Sequence, residues 1–371
     1  MKVLFLTHHL RGNDGWSRYA KDLAVGIEKE GCEVLCIVNE ISNDSSLRQV
    51  ALLDGPLAYI ANPVRSFVAA IKVQKVLNNF KPDIVHVIVE PYGTILPFLS
   101  MGSEKIVITV HSTYAFMPIL VSGFRRSISK YLTKWMYTKI NLVICVSEYT
   151  KQHLLKYMPR FATEKTFVLV GGVNVSVANE NAFIDRKNKT KEILFVGALK
   201  PRKGLIEAIH ALSFVETDFV YRIVGSYNEN DSYVKLVKQK IVQFGLGDKV
   251  VFEGQVSDER LDSLYKNADL FLMLSINNGA DFEGFGLVYI EANARGVPCI
   301  GPKDSGVADA IVDGKTGYLV DQHDPRGVAK IIDLFFKNKT IKSRDCISWA
   351  LKNQNIEKVR QVRSLYVGLV L

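Results

Sequence analysis

Short apolar runs separated by longer amphipathic stretches recur along this chain, and after a polar interval the same rhythm starts again. Val3 to Thr7, Val34 to Val38, Ile84 to Val89, Ile106 to Val110 and Leu142 to Val146 form the first series. Ile193 to Val196, Tyr221 to Val224, Val250 to Phe252, Leu270 to Leu274 and Pro298 to Gly301 form the second. Unbroken runs this short, with helical patterns between them, predict strands of parallel sheets covered on both faces. The expected fold class is therefore α/β, with two doubly wound, Rossmann-like domains facing an interdomain cleft. The boundaries read as 1–175, a polar linker over 176–190, and 191–345, followed by a last helical stretch over 346–371. In such sheets ligands bind beyond the carboxyl ends of the strands, so the loops after each strand carry the candidate chemistry.

Composition narrows the class of protein. A chain of 371 residues, 48% hydrophobic and 23% charged, has the make-up of globular domains with real cores. Five cysteines, thinly spread, show no metal-ligand spacing and imply a reducing, cytoplasmic setting with buried thiols. The apolar start is too short for a signal peptide, and no apolar run is long enough to span a bilayer. The net charge of +9 is unevenly placed: 23 basic against 15 acidic residues over 1–190, 20 against 22 over 191–345, and 4 against 1 over 346–371. Residues 105–147 hold six basic residues and no acid, so part of the first domain must present a positive surface.

The segment Phe282-Glu283-Gly284-Phe285-Gly286-Leu287-Val288-Tyr289-Ile290-Glu291 is the most informative. Two glycines give way to apolar residues of helical periodicity, which predicts a loop that turns into a helix near Leu287. Free backbone N–H groups and the helix dipole at such a point favour an anion, here a phosphate beside the Phe285 to Leu287 backbone. As continuous helix, Glu283 and Glu291 would lie about 12 Å apart, beyond the roughly 5 to 9.5 Å of a glycosidase pair. The spacing suits two ends of one long ligand, such as a sugar hydroxyl at Glu283 and a ribose diol at Glu291. A helix-start glutamate and a surface glutamate with no ligand would give the same pattern. Arg202 and Lys203, before a helix opening at Gly204, are placed where both can face an anion. A solvated basic pair is the alternative there.

Glu283 and Glu291, with seven residues between them, resemble the E-x7-E signature of the retaining glycosyltransferases of family 4, which have a GT-B fold. The likeness runs along nearly the whole chain. Asp14 to Tyr19 resembles the family's amino-terminal Gly-Gly loop, Thr109-Val110-His111 its Thr-x-His, and Val146-Ser147 its Val-Ser strand end. Gly172-Val173-Asn174 resembles the Gly-Val-Asp before the linker, Gly197 to Gly204 the Gly-Arg-Leu...Lys-Gly loop, and Asp313 to Gly317 the closing Asp-Gly-x-Thr-Gly turn.

The resemblance implies transfer of a hexosyl-type sugar from a UDP- or GDP-linked donor to an acceptor hydroxyl, in glycan, polysaccharide or glycolipid biosynthesis, with no metal and no cofactor. It implies catalytic roles for Glu283, Lys203 and His111, and donor contacts at Gly15, Arg202, Lys203, Glu283, Phe285, Gly286, Leu287 and Glu291. His111 would hydrogen-bond the sugar or the diphosphate, since the leaving phosphate serves as base. Gly15 would let the backbone approach the donor. The second domain would hold the donor and the first the acceptor, with the stretch 346–371 packing back on the first.

Three positions depart from the family's pattern: Ala198 stands where an arginine is usual, Asp14 replaces the first glycine, and Ser112 follows His111 in place of an aspartate. With one diphosphate cation missing, Lys200 or Arg202 must compensate, or donor affinity falls. A non-catalytic carbohydrate- or partner-binding relative would follow from Ala198 and Asp14 and stays open, as does a sugar-nucleotide epimerase of the same architecture, against which the E-x7-E setting speaks.

Residues 124–140 form a helical pattern with Phe124, Ile128, Tyr131 and Trp135 on one face and Arg126, Lys130 and Lys134 on the opposite side. This reads either as a contact to an anionic membrane surface or to a glycan or lipid-linked acceptor, or as an ordinary helix whose aromatic face meets the core. The acid-free setting favours the first, a protein peripheral at the inner face of the membrane. Gly314-Lys315-Thr316 is no P-loop, because Asp309 stands where its first glycine belongs. No nucleic-acid module is visible, since the basic region lacks repeated aromatic platforms.

Overall fold

The computed structural model describes residues 1–12, 15–43, 46–111, 117–118, 120–158, 165–174, 190–277 and 281–371. It divides into two compact units, Met1–Asn174 with Asn355–Leu371, and Val175–Gln354. The linker assigned to 176–190 lies, Thr190 excepted, outside the described residues, as do Asp14 and Ser112.

The first unit comprises β1 (Lys2–Leu6), α1 (Gly15–Lys29), β2 (Glu33–Val38), β3 (Arg48–Ala51), α2 (Pro63–Phe80), β4 (Ile84–Val87), β5 (Lys105–Val110), α3 (Gly123–Thr138), β6 (Leu142–Cys145), α4 (Glu148–Tyr157) and β7 (Thr166–Val168). Its strands form one parallel sheet in the order β3-β2-β1-β4-β5-β6-β7. The second unit comprises β8 (Lys191–Val196), α5 (Leu205–Leu212), β9 (Phe219–Val224), α6 (Ser232–Gln243), β10 (Val250–Gly254), α7 (Asp258–Asn267), β11 (Leu270–Leu272), α8 (Leu287–Ala294), β12 (Cys299–Pro302), β13 (Gly317–Val320), α9 (Pro325–Asn338) and α10 (Ser343–Lys352). Its parallel sheet runs β10-β9-β8-β11-β12-β13. The central strands β1, β4 and β5 are buried on both faces, which is why their sequences are continuous rather than alternating. All five cysteines are buried and unpaired.

Three strands escaped the apolar pattern, and each lies at an edge of its sheet. β3 (Arg-Gln-Val-Ala) and β7 (Thr-Phe-Val) are short and polar because one side of an edge strand faces solvent. β13 follows the Asp313 to Gly317 turn, where a Cβ on Gly317 would lie 2.0 Å from the Cys299 carbonyl oxygen.

The last helical stretch needs correction: it is two helices, and only the second returns to the first unit. In α10 the side chains of Cys346, Ile347 and Ala350 are buried, the helix packs on α8, and Trp349 donates to the Ala310 carbonyl, so 346–354 stays with the second unit. The crossing point is Asn355, whose N–H donates to the Val173 carbonyl and whose side chain donates to that of Asp22. Gly172 is required there, since a Cβ would lie 2.6 Å from Asn355 Cα. α11 (Asn355–Val370) then packs on α1, where a Cβ on Gly26 would meet Val359 Cγ2 at 2.3 Å. Tyr366 of α11 reaches the core and hydrogen-bonds His86 Nδ1 at 2.5 Å, while His86 Nε2 pairs with Thr109 Oγ1 at 2.8 Å.

Candidate active site

After β8 the chain enters a single 3-10 turn, Pro201–Lys203, and Gly204 then starts α5 with φ +64°. A Cβ on Gly204 would lie 1.6 Å from the Leu274 carbonyl oxygen, so only glycine lets this turn press against the chain leaving β11. The Ile276 N–H donates to the Arg202 carbonyl at 2.9 Å and fixes that approach. Both cations consequently reach one oxygen of Glu283: Arg202 Nη1 stands 2.5 Å and Lys203 Nζ 2.7 Å from Oε2. Arg202 Nε also pairs with Asp281 at 3.1 Å.

Burial alone would raise the Glu283 carboxyl, but the charges and hydrogen bonds of Lys203 and Arg202 outweigh it and hold it at about 2. Burial pulls the Lys203 ammonium below its usual value, with Glu283 opposing that pull. Glu283 is thus a fixed carboxylate at neutral pH. It can accept hydrogen bonds from hydroxyls, and it has no proton to donate.

The Glu283 loop is itself tightly held. The Gly306 N–H donates to the Glu283 carbonyl at 3.0 Å, and a Cβ on Gly306 would lie 1.8 Å from the Gly284 carbonyl oxygen. Phe282 and Phe285 are buried, and Gly286, at φ +86°, caps α8, so Leu287 begins the helix. Glu283 therefore lies outside the helix that carries Glu291. Glu291 accepts a hydrogen bond from Tyr265 OH of α7 at 3.0 Å in a buried setting. Arg295 lies over the Tyr265 ring, 5.0 Å from its centroid, donates to the Glu291 carbonyl and forks onto Asp262.

In the first unit, His111 follows β5 and is held through its backbone and its ring. Its N–H donates to Glu90 Oε1 at 2.8 Å, and its ring stands perpendicular to that of Tyr19 with 4.9 Å between centroids. Burial pushes the imidazole down to about 4, against a hydrogen bond to the Ile88 carbonyl. Nε2 is buried with no hydrogen-bond partner among the described residues, which leaves the Ile88 bond to Nδ1. The ring is then neutral, with Nε2 an acceptor. Ser147, at the Val-Ser strand end, caps α4 by accepting from the Thr150 N–H at 3.0 Å. Gly15 opens α1, and a Cβ there would meet nothing within 4 Å.

Of the residues singled out from sequence, Arg202, Lys203 and Glu283 form one cluster, Phe285, Gly286 and Leu287 lead from it into α8, and Glu291 is held by a different set of side chains. Lys200 is exposed, and the second cation that meets Glu283 beside Lys203 is Arg202. The alternative for α3, an aromatic face meeting the core, fails for Phe124 and Tyr131, which are 81% and 66% exposed, while Ile128 and Trp135 are half-buried. The buried side chains of α3 are Ser129, Leu132, Thr133, Met136 and Tyr137. Sequence reasoning missed Glu90, Tyr265, Asp281, Arg295 and Asp262. Glu90 carried a signal, as the single charged residue between Asp83 and Glu104; Tyr265 reads as an ordinary core position of α7. Among the described residues no group of three His, Cys, Asp or Glu side chains is placed to hold a metal ion, and no helix is long and apolar enough to cross a membrane.

Comparison with known proteins bears on this arrangement. A family model described as Glycosyltransferase Family 4 matches residues 13–177, and one described as Glycosyl transferases group 1 matches residues 177–353. The chain is 27% identical over 240 residues to a GDP-mannose-dependent alpha-(1-6)-phosphatidylinositol monomannoside mannosyltransferase of Mycolicibacterium smegmatis, a match covering 60% of this chain and 58% of that protein. Against a D-inositol 3-phosphate glycosyltransferase of Streptomyces avermitilis it is 30% identical over 173 residues, covering 42% of this chain and 36% of the relative. The chain thus spans less than two thirds of the length of these curated relatives. In fold it is similar to sucrose-phosphate synthase from Thermosynechococcus elongatus, with TM-score 0.78 and 19% identity over 100% of this chain and 99% of that one. It is likewise similar to the Anabaena HepE protein solved with UDP and glucose, with TM-score 0.76 and 18% identity over 99% and 100% of the two chains. With both halves matched and both sheets of the GT-B architecture present, the chain belongs to the family 4 glycosyltransferases.

Proposed function

We propose that the protein is a retaining, metal-independent glycosyltransferase that moves a hexosyl-type sugar from a UDP- or GDP-linked donor to an acceptor hydroxyl, using no cofactor. The observation that carries this is the convergence of Arg202 and Lys203 on one buried oxygen of Glu283. Transfer breaks the bond between the anomeric carbon and the diphosphate, forms one to the acceptor oxygen on the same face, and passes the acceptor proton to the departing phosphate. What the protein must supply is fixed positive charge for the diphosphate and hydrogen-bond acceptors for the sugar. Lys203 and Arg202 supply the charge, with Arg202 standing in for the arginine that Ala198 lacks. The backbone from Phe285 to Leu287 adds N–H groups at the start of α8.

Glu283, ionised and held by two cations, accepts sugar hydroxyls and keeps the cations in place. A carboxyl held at about 2 is a poor acid or base, which speaks against an epimerase. Glu291 takes the ribose diol. His111, with an acceptor at Nε2, suits a sugar hydroxyl; a diphosphate has no proton to give it. Gly15 leaves room for the donor at the start of α1. The second unit holds the donor and the first the acceptor, in glycan, polysaccharide or glycolipid biosynthesis. A lipid-linked acceptor, of the kind named for the mycobacterial relative, would place the protein peripherally at the cytoplasmic face of an anionic membrane.

Glu283→Ala tests the assignment. Transfer of label from UDP- or GDP-sugars should fall at least ~100-fold, with nucleoside diphosphate binding by calorimetry changed only modestly. Unchanged transfer in the folded variant would remove Glu283 from the mechanism.

A further inference from the structure

α2 is apolar on both sides, unlike an ordinary surface helix. Its buried side is small or apolar, with Ser66, Ala69, Ala70, Val73, Leu77 and Phe80, and the helix packs on the Glu90–Phe98 and Pro56–Tyr59 segments. Its solvent side is apolar as well: Val64 is 71% exposed, and Phe67, Val68 and Ile71 about half. At 100° per residue Val64, Val68, Ile71 and Lys75 share one line and Phe67 flanks it, the side where a solvated helix carries charge. Leu57, in the turn before α2, extends the same surface.

This stripe is continuous with the exposed aromatics of α3. The Phe67 ring stands edge-on to Phe98 at 5.8 Å, Phe98 to Trp135 at 5.1 Å, and Trp135 lies 5.9 Å from Tyr131, with Phe124 further along the same face of α3. Two helices therefore share one apolar surface, bridged by the Glu90–Phe98 segment that packs on both. Contiguous exposed apolar area of this kind marks a docking site.

Its electrostatic setting selects the occupant. Residues 55–82, which contain α2, hold no acid and four basic residues, and 105–147, which contain α3, hold no acid and six. Lys72 and Lys75 on α2 are exposed beside the apolar stripe, and on α3 Lys134 is exposed about 60° round the helix from Tyr131, with Arg126 and Lys130 exposed further round on the opposite side. Aromatic and branched apolar side chains framed by lysines and arginines match the boundary between headgroups and acyl chains of an anionic bilayer. We infer that the α2 and α3 faces together form the surface by which the first unit lies on an anionic lipid bilayer, resting on the membrane-borne acceptor proposed above.

Flotation with vesicles of equal parts phosphatidylglycerol and phosphatidylcholine tests it, with pure phosphatidylcholine as control. Wild type should bind the anionic vesicles only. Phe67→Ser/Val68→Ser/Ile71→Ser removes no charge and no buried side chain, and it should lower partitioning at least ~10-fold while leaving the thermal midpoint and transfer to a water-soluble acceptor unchanged. Neutralising Arg126, Lys130 and Lys134 together should lower it on the order of 100-fold, at about fivefold per basic residue near an anionic surface. Binding of the triple-serine variant equal to wild type would overturn the role of α2. Wild type that ignores both vesicles, or that forms a dimer lost in the serine variant, would overturn the lipid assignment in favour of no docking or a second copy. Nucleotide-sugar binding measured without lipid in the same samples keeps the two proposals apart, because its absence would undo the transferase reading and leave vesicle binding untouched.

Discussion

Six strands of each sheet follow the same order, yet the two units bury ionisable groups in opposite states. In the first unit His86 and His111 are interior, and burial pushes them down to about 3 and about 4, so both are neutral. In the second unit Glu283 is as deeply placed, but two cations hold it ionised at about 2. Desolvation penalises charge in both units; at Glu283 the charges and hydrogen bonds of two cations reverse the outcome, whereas the neutral hydrogen-bond partners of the histidines do not. The same scaffold thus holds a neutral imidazole with an acceptor nitrogen in one unit and a paired, charged cluster in the other, which the proposed function assigns to a sugar hydroxyl and to the diphosphate.

Removing a partner from the charged site should have the largest effect. Lys203→Met leaves Glu283 buried with Arg202 alone, and breaking a buried pair in this way costs about 3–5 kcal/mol. We expect a lower melting temperature and an about 100- to 1000-fold loss of transfer with weaker nucleoside diphosphate binding. A variant that melts and binds like wild type would mean that the two units do not differ as described.

Acid should next separate the units. A histidine whose pKa falls on folding binds fewer protons folded than unfolded, so its stabilising influence is complete above pH 6.5 and is lost as pH drops toward 4 and 3. Glu283 has the same sign over a lower window, with its contribution complete above about 4.5 and lost toward 2. The first unit should therefore weaken at higher pH, by about 1.4 kcal/mol per pH unit for each histidine titrating. Urea melts from pH 7 to pH 3 can follow Trp16 and Trp135 of the first unit in a Trp349→Phe background, and Trp349 of the second in the converse variant. Coincident loss in both, or earlier loss of the second, would contradict the contrast.

The folding pattern was legible where burial dictates sequence. Strands enclosed on both faces, such as β1 and β5, announce themselves as apolar runs, and the glycines before α8 announce a loop that caps a helix. The edge strands β3, β7 and β13 did not, being short with water on one side, whereas the edge strand β10 showed as the run Val250 to Phe252. The break between α10 and α11 was hidden because Asn353 to Asn355 differ little from a polar helix face, and the turn is fixed by bonds to Val173 and Asp22, far away in sequence. Lys203 and Glu283 were each legible, but their pairing was not: 80 residues separate them, and the contact depends on Gly204 pressing against Leu274. The aromatic face of α3 was read correctly as a face, yet periodicity cannot say which side of a helix the sheet will occupy.

The neutral site offers a smaller perturbation. His111→Phe keeps the ring packed against Tyr19 but deletes the Nε2 acceptor, leaving one sugar hydroxyl without a partner. That costs about 1–3 kcal/mol, so turnover should fall about 10- to 100-fold while nucleoside diphosphate affinity holds. An equal loss of UDP or GDP binding would place His111 on the diphosphate and remove the division between the units.

The smallest expected effect is the most specific. Tyr265 touches no donor atom in this reading; it is a positioning residue whose hydroxyl donates to Glu291 and whose ring lies beneath Arg295. Tyr265→Phe preserves that packing and the Asp262 pair, and removes one hydrogen bond worth about 0.5–1.5 kcal/mol. The KM for the nucleotide sugar should then rise about 3- to 10-fold with kcat unchanged, because a looser Glu291 weakens ribose binding equally in ground and transition states. A donor lacking the ribose hydroxyls should show no such difference between wild type and variant, whereas a purely structural role would shift both donors alike. If kcat falls as well, Glu291 acts on the reacting sugar, and the charged site reaches further along the donor than the cluster at Glu283.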